Sequence, residues 1–370
     1  MKNSSGERRG IYVHIPLCDY KCPYCNYEAE KVHNFKYVNK YISCLVKEID
    51  NLNIVGSIVT IYIGGGNPNS LSDVHLEKLL SAIAKKVNVN LLQEYTIEAK
   101  PNNLSMDRIS ILKKYGINRV SMPTQVVSAD SRERVGLPYD DDCVHLAISA
   151  LNNAGITNIS SDLIFPIPMK MKSIREEIEK ILSYNICNIS CYPIEEFLDD
   201  SKGNPKDIYG EIIDNLNARE FKQYDLLNFA KKGYKNIHNS NYWRRKEYYA
   251  LGAGAHGFIN GERYSNHEDI VTYIKKIEEF GSAIKDISKL SNIDSLEEEF
   301  YLGLQLLAGI DLNKINERYS INLEKVYGSV IEEHILKEEV VLENNILKLT
   351  KRGIINSDDV LSNFLLDDIQ

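Results

Sequence analysis

Short apolar, β-branched runs alternate along the first half of the chain with longer stretches whose apolar residues recur at helical spacing. The runs at 11–15, 58–63, 95–99, 119–122, 159–164 and 188–192 read as strands. Between them, 71–86, 107–115, 142–154 and 173–184 read as helices. In the first of these, Leu76, Leu79, Leu80 and Ile83 fall at i, i+3, i+4 and i+7, a stripe that faces a core. A glycine follows the last helical turn at Tyr115-Gly116 and Ala154-Gly155, where a left-handed residue closes a helix. Repeated strand–helix units of about 30 residues are what right-handed parallel crossovers require. Six of them predict an α/β fold, an incomplete (β/α)6 barrel with functional loops at the C-terminal ends of its strands.

The pattern changes after residue 200. A long helical pattern at 208–232 is followed by Gly-, Asn- and Tyr-rich stretches that read as loops. Beyond them, 296–307, 312–319 and 326–337 read as helices, and 340–349 as a hairpin turning at Asn344-Asn345. Helices followed by such a hairpin predict a small winged-helix-like α+β domain. The expected division is a barrel over 1–200, a flanking segment over 201–290 and the C-terminal domain over 291–370. No tandem repeat or low-complexity tract is present.

Composition narrows the function classes. The net charge is −8, and the winged-helix-like segment carries no basic stripe, so nucleic-acid binding is not expected. No apolar run approaches a membrane span, and the start of the chain has charge but no apolar core behind it, unlike a secretory signal. Seven cysteines form no even framework, which points to a reducing cytoplasm rather than a disulfide scaffold. Cys187 and Cys191 flank an apolar strand and read as buried small hydrophobes.

Cys44 and Cys143 are scattered, and the other three cysteines carry the chemistry. Cys18, Cys22 and Cys25 stand in the run Tyr12-Val-His-Ile-Pro-Leu-Cys18-Asp-Tyr-Lys-Cys22-Pro-Tyr-Cys25, a C-x3-C-x2-C spacing directly after the first strand. Pro16 and Pro23 mark the segment as a loop. Thiolates select zinc, copper(I) or iron–sulfur centres, and zinc knots usually add a second ligand pair downstream, which is missing here. A four-iron cluster normally takes four thiolates, so three leave one iron open to a small molecule.

This cysteine pattern is the signature of radical S-adenosylmethionine (SAM) proteins. Over nearly its whole length the chain resembles the branch of that family holding oxygen-independent coproporphyrinogen III oxidases and heme chaperones of the HemW type. The likeness runs through 12–27, 61–71, 94–101, 118–125, 161–168, 190–195, 238–243 and 251–257, and the tail Leu349-Thr350-x-x-Gly353 matches too. It implies a [4Fe–4S] cluster on Cys18, Cys22 and Cys25, with SAM on its open iron. It also implies SAM contacts from Tyr12, Tyr24, Gly64, Gly65, Gly66, Asn67, Glu98, Gln125, Asp162 and His256. The glycines would hold the methionine part and Glu98 the ribose hydroxyls.

Several positions depart from the family pattern. Asn67 stands where threonine is common, Gly-x-Gln reads Pro123-Thr-Gln125, and Asn-Pro-Gly reads Lys100-Pro-Asn102. Gly-Leu-Pro reads Pro166-Ile-Pro168. Gly136-Leu137 lacks the usual carboxylate-clamping arginine, with Arg132 and Arg134 as neighbouring substitutes. Two further features divide the branch. The oxidases carry a fourth cysteine two residues beyond the third, whereas Tyr27 stands here, as an aromatic does in the chaperones. His238-Asn-Ser-Asn-Tyr242-Trp243 resembles the chaperone motif H-N-x-x-Y-W, which implies heme near this segment with His238 as its ligand.

Two readings follow. One is a cytoplasmic heme chaperone that delivers heme to a haemoprotein, admits homodimerisation and peripheral membrane contact, and does not carry coproporphyrinogen oxidase activity. The other is a radical SAM enzyme, a methyltransferase or oxidase-like protein acting on a macrocyclic or peptide substrate. A paralogue whose SAM chemistry has decayed is a third, raised by Pro123 and Leu137.

Overall fold

The computed structural model describes residues 8–20, 22, 25, 30–31, 35–126, 132–133, 135–165, 172–194 and 204–366. Tyr24, Tyr27, Arg134 and Pro166-Ile-Pro168, singled out in the sequence, lie outside these residues. All six expected strands form: β1 (Arg8–Ile15), β2 (Ser57–Gly65), β3 (Glu94–Glu98), β4 (Arg119–Gln125), β5 (Asn158–Phe165) and β6 (Asn188–Pro193). They lie side by side in chain order, and each neighbouring pair is parallel. The crossovers run through α1 (Phe35–Asn51), α2 (Asp73–Lys86), α3 (Met106–Lys114), α4 (Asp141–Asn153) and α5 (Lys172–Ser183). Gly116 and Gly155 take φ of 83° and 85° just past α3 and α4, a backbone region open to glycine without a Cβ clash. Helix α1 escaped the sequence reading, although Val38, Tyr41, Ile42, Leu45 and Ile49 lie buried at helical spacing.

The segment after residue 200 differs from expectation. It holds α6 (Pro205–Asn217), β7 (Lys222–Gln223), β8 (Asn228–Ala230), α7 (Ile237–Trp243), β9 (Tyr248–Leu251), β10 (His256–Ile259), β11 (Glu262–Asn266), α8 (Ile270–Phe280) and β12 (Ile284–Lys289). The expected helix over 208–232 therefore stops at Asn217. Asp225 Oδ1 accepts from the backbone N–H groups of Leu227 at 3.1 Å and Asn228 at 2.8 Å, turning the chain into the β7–β8 hairpin. The stretch read as loops holds four strands and two helices. The sheet order is β12-β11-β10-β9-β1-β2-β3-β4-β5-β6-β8-β7, so the flanking segment completes both margins of the barrel sheet. β9 runs parallel to β1, and the outer strands are antiparallel.

Alternation along the barrel strands sorts their side chains by chemistry. Ile11, Val13, Ile15, Ile61, Ile63, Tyr95 and Ile97 join the apolar core shared with α1 and α2. The intervening residues, among them Tyr12, His14, Thr60, Tyr62, Glu94, Glu98, Arg119 and Asp162, turn to the interior, where they touch or face one another. Cys187 and Cys191 are buried as expected.

Beyond β12 come α9 (Asn292–Gly303), β13 (Ile310–Asp311), α10 (Leu312–Tyr319), α11 (Leu323–Leu336), β14 (Val340–Glu343) and β15 (Ile346–Leu349). Asn344 and Asn345 take φ of 51° and 64°, so the hairpin turns where expected with both central residues left-handed. Phe300 stacks on Phe364 and packs at a tilt against Tyr327, in a core continuous with that of the barrel.

A buried acid ties the flanking strands to the barrel. Glu48 of α1 accepts from Gly252 N at 2.8 Å, Asn266 Nδ2 at 2.8 Å and Tyr273 OH at 2.7 Å. Replacing it by alanine strands three buried donors, so Glu48→Ala is expected to cost about 3 kcal/mol in urea unfolding. Glu48→Gln, which keeps one acceptor oxygen, is expected to cost less.

Candidate functional site

The C-terminal ends of β1, β2 and β3 converge on the cysteine segment. After β1 the chain crosses Pro16 into Leu17 and Cys18, which pair as a two-residue bridge with 30–31. The glycine turn at the end of β2 packs directly on this segment. Gly66 N donates to Ile15 O at 2.9 Å and Asn67 N to Leu17 O at 2.7 Å. A Cβ on Gly66 would lie 2.5 Å from Leu17 O, and one on Gly64 would lie 2.9 Å from Glu98 Oε1. What these glycines approach closely is the cysteine strand and Glu98.

Cys18 is buried, while Cys22 and Cys25 are half-buried and joined by a tight turn, Cys25 N to Cys22 O at 3.0 Å. Among the described residues no three acidic, cysteine or histidine side chains are gathered tightly enough for a single metal ion. Lys100, two residues past Glu98, is buried against Cys18: its Nζ lies 3.1 Å from Cys18 Sγ and 2.6 Å from Tyr20 O. Burial opposes the Lys100 charge, but the sulfurs of Cys18 and Cys22 and the Asp19 carboxylate outweigh it and hold the ammonium above the ordinary lysine value.

Below the cysteines lies the polar interior. Glu98 accepts from Tyr62 OH at 2.8 Å and from Gly65 N at 3.1 Å. Burial pushes its carboxyl up to about 7, with the negative charge of Asp162 adding to the shift and the Tyr62 bond resisting it. Asp162 is likewise pushed up to about 7 by burial, against the pull of Arg119 and a hydrogen bond with Ser190. Tyr12 OH bonds His14 Nδ1 at 2.8 Å. Burial, with the nearby His256 adding to it, lowers His14 to about 4. His256 itself is exposed at the start of β10. Gln125 sits past a register shift in β4, after Pro123, with φ of 62° and a buried Oε1 that has no protein partner. A strained glutamine with an orphaned oxygen suits a ligand-facing role. Leu137 is half-buried against apolar neighbours, and Arg132 bonds Tyr139 O at 3.1 Å and pairs with Asp141 at 3.6 Å. Arg132 is thus held to the α4 end of this loop.

The H-N-x-x-Y-W segment lies at the opposite end. It forms α7, whose first turn closes the N-terminal end of the barrel: Glu94 accepts from Ile237 N at 2.6 Å and His238 N at 3.3 Å. His238 is 1% exposed, with Nδ1 bonded to Thr60 Oγ1 at 2.9 Å and Nε2 to Tyr242 OH at 2.6 Å. Its ring stacks on Tyr62 at 5.4 Å, and burial with the nearby Arg119 charge lowers it to about 3. His238 is the residue that the resemblance implies as a heme ligand. Both ring nitrogens already have partners, so in this arrangement His238 offers none to a heme iron. Trp243 Nε1 donates to Asp225 at 3.3 Å.

Comparison with known proteins places this arrangement. The radical SAM superfamily pattern matches residues 12–182, and the HemN C-terminal domain pattern matches 290–355. The chain is 31% identical to the heme chaperone HemW of Lactococcus lactis over 97% of both chains. The chain belongs to the HemW family of radical SAM proteins. Its likeness to the Bacillus subtilis heme chaperone HemW is 30% identity over 96% of this chain and 99% of the other. The fold matches that of Escherichia coli coproporphyrinogen III oxidase, a radical SAM enzyme, with a TM-score of 0.86 at 17% identity over 98% of this chain and 91% of the other.

Membership of the HemW family within radical SAM proteins implies a [4Fe–4S] cluster and SAM. The residues fit both groups. Three unbridged cysteines lie on one segment at the mouth of the barrel. A four-iron cluster holds its thiolates on separate irons, so it needs no single-ion gathering of sulfurs. Glu98, Asp162 and the orphaned Gln125 oxygen supply polar groups below that segment. The sequence reading missed Tyr62, Glu94 and Arg119; Tyr62 stands between Ile61 and Ile63, an alternation that marks an interior-facing position, whereas Glu94 and Arg119 open their strands after Gln93 and Asn118 and carry no such signal. It noted Lys100 as a departure but not its return to Cys18.

The geometry of His238 makes a test that needs no heme. His238→Ala leaves Thr60 and Tyr242 without their partner and opens a hole beneath Tyr62, an expected loss of about 3 kcal/mol. Urea unfolding of the heme-free protein reads it; an unchanged midpoint would remove the floor role assigned to this residue.

Proposed function

We propose that the protein is a heme chaperone of the HemW type, holding a [4Fe–4S] cluster on Cys18, Cys22 and Cys25 and SAM within the barrel, and passing heme to a haemoprotein. The observation that carries this reading is end-to-end similarity to proteins that bear that description. Division into a barrel over 1–200, a flanking segment over 201–290 and a C-terminal domain over 291–370 belongs to the same reading. A cytoplasmic setting is supported by seven cysteines that are all unbridged and by the absence of any described helix long and apolar enough to cross a membrane.

In this reading Glu98 accepts the ribose hydroxyls, Gln125 and Asp162 orient the nucleoside, Tyr12 and the glycine turn bound the methionine part, and His256 stands at the rim. The loaded cluster would supply one electron to SAM. Tyr62 and Gly65 hold the Glu98 carboxylate in place, and the floor made by α7 keeps bulk water from its inner side. The completeness of this polar pocket favours a second reading, that SAM is cleaved by an enzyme of the same fold, and product analysis separates the two.

Two outcomes are expected. The reconstituted protein binds heme in a near-stoichiometric titration followed by absorbance, and Cys22→Ala loses the cluster. A wild-type chain that takes up no heme would refute the chaperone reading, and 5′-deoxyadenosine formed from SAM under a strong reductant would support the enzyme. SAM affinity is expected to rise as pH increases through about 7, because Glu98 is protonated below that value and accepts best as the carboxylate. Removing a neighbouring negative charge with Asp162→Asn should move this rise to lower pH, and Glu98→Gln should abolish it. Isothermal titration of SAM across that range reads all three.

A further inference from the structure

Two positions where the chain leaves its family pattern, Asn67 and Lys100, meet in space. Lys100 N donates to Asn67 Oδ1 at 3.4 Å, and Asn67 Nδ2 donates to Asp19 Oδ1 at 3.2 Å. That same Asp19 oxygen lies 3.9 Å from Cys18 Sγ and 3.7 Å from Lys100 Nζ. Asn67 is 1% exposed and Lys100 6%, while the Asp19 side chain keeps 23% of its surface open, so the cage buries the ammonium and leaves Asp19 at its rim.

Within it the ammonium has a fixed address. One N–H points to Cys18 Sγ at 3.1 Å and another to Tyr20 O at 2.6 Å. The Tyr20 ring is 5.7 Å away, and Tyr20 OH is anchored on Gly136 O at 2.7 Å. An N–H···S bond from a buried cation withdraws electron density from a thiolate. Hydrogen bonds to cluster sulfurs and local net charge are among the factors that set the potential of an iron–sulfur centre. Asp19 acts in the opposite sense, placing a carboxylate beside the same sulfur.

We propose that Lys100 is a positioning residue for the cluster's redox behaviour: by donating to Cys18 Sγ and neutralising Asp19, it raises the reduction potential of the [4Fe–4S] centre. This rests on the reading that Cys18 is a cluster ligand. The alternative role for a cation here, clamping the SAM carboxylate in place of the arginine absent at Leu137, is separated by working without SAM.

The experiment is an anaerobic redox titration of the reconstituted full chain without SAM, followed by the paramagnetic signal of the reduced cluster. Iron and sulfide contents are matched between samples. Lys100→Met is expected to lower the midpoint so that the reduced-to-oxidised ratio at a fixed potential falls about tenfold, about 59 mV for one electron. Lys100→Arg, which keeps a donor and a charge, should stay closer to wild type, and Asp19→Asn should move the midpoint up. If Lys100→Met loads poorly, Lys100→Gln, which keeps a donor without the charge, is titrated in its place, and a midpoint equal to wild type there overturns the proposal. A loaded Lys100→Met with the wild-type midpoint overturns the proposal, as does a shift that occurs only when SAM is added. A wild-type chain that assembles no cluster overturns the underlying reading, and this inference with it.

Discussion

The structure depends on charge balance inside a barrel whose inner face is polar. Strands of parallel sheets are usually apolar on both faces, and a buried ion without partners is costly. Here Arg119, 1% exposed at the start of β4, faces Glu94 and Asp162 across the interior. Each acid is further held by neutral donors: Glu94 by the first turn of α7, Glu98 by Tyr62 and Gly65, Asp162 by Ser190. The atoms left over are informative. Arg119 Nε and Nη1 and Gln125 Oε1 are buried without protein partners, and they mark the interior as a place built for something besides protein.

Much of the fold could be read from the chain, and the reasons are local. The six strands stand out as short, mostly apolar runs set between stretches of helical spacing, and two of the helices that separate them close on glycine, at Gly116 and Gly155. The hairpin at Asn344-Asn345 was legible because two successive left-handed residues have a strong sequence signature. What failed, failed for want of a local signal. The helix ends at Asn217 and Asp225 then turns the hairpin through side-chain hydrogen bonds with Leu227 and Asn228, and neither Gly nor Pro announces the change. The outer strands owe their existence to pairing at the margins of a sheet already formed, which periodicity within one segment does not reveal.

The site was legible in its parts but not in its connections. Cys18, Gly66 and Glu98 could each be picked out, while their contacts run between loops more than thirty residues apart. His238 shows the converse. A motif associated with heme turned attention to an imidazole that the fold uses at its floor, bonded to Thr60 and Tyr242 and stacked on Tyr62. Burial, which sequence does not report for a lone polar residue, separates these two roles.

That floor has a consequence for motion. Helix α7 ties its first turn to Glu94 of β3 and its His238 to Thr60 of β2, so a shift of the helix has to break bonds to two neighbouring strands at once. The N-terminal end of the barrel is braced there against any movement that would part β2 from β3.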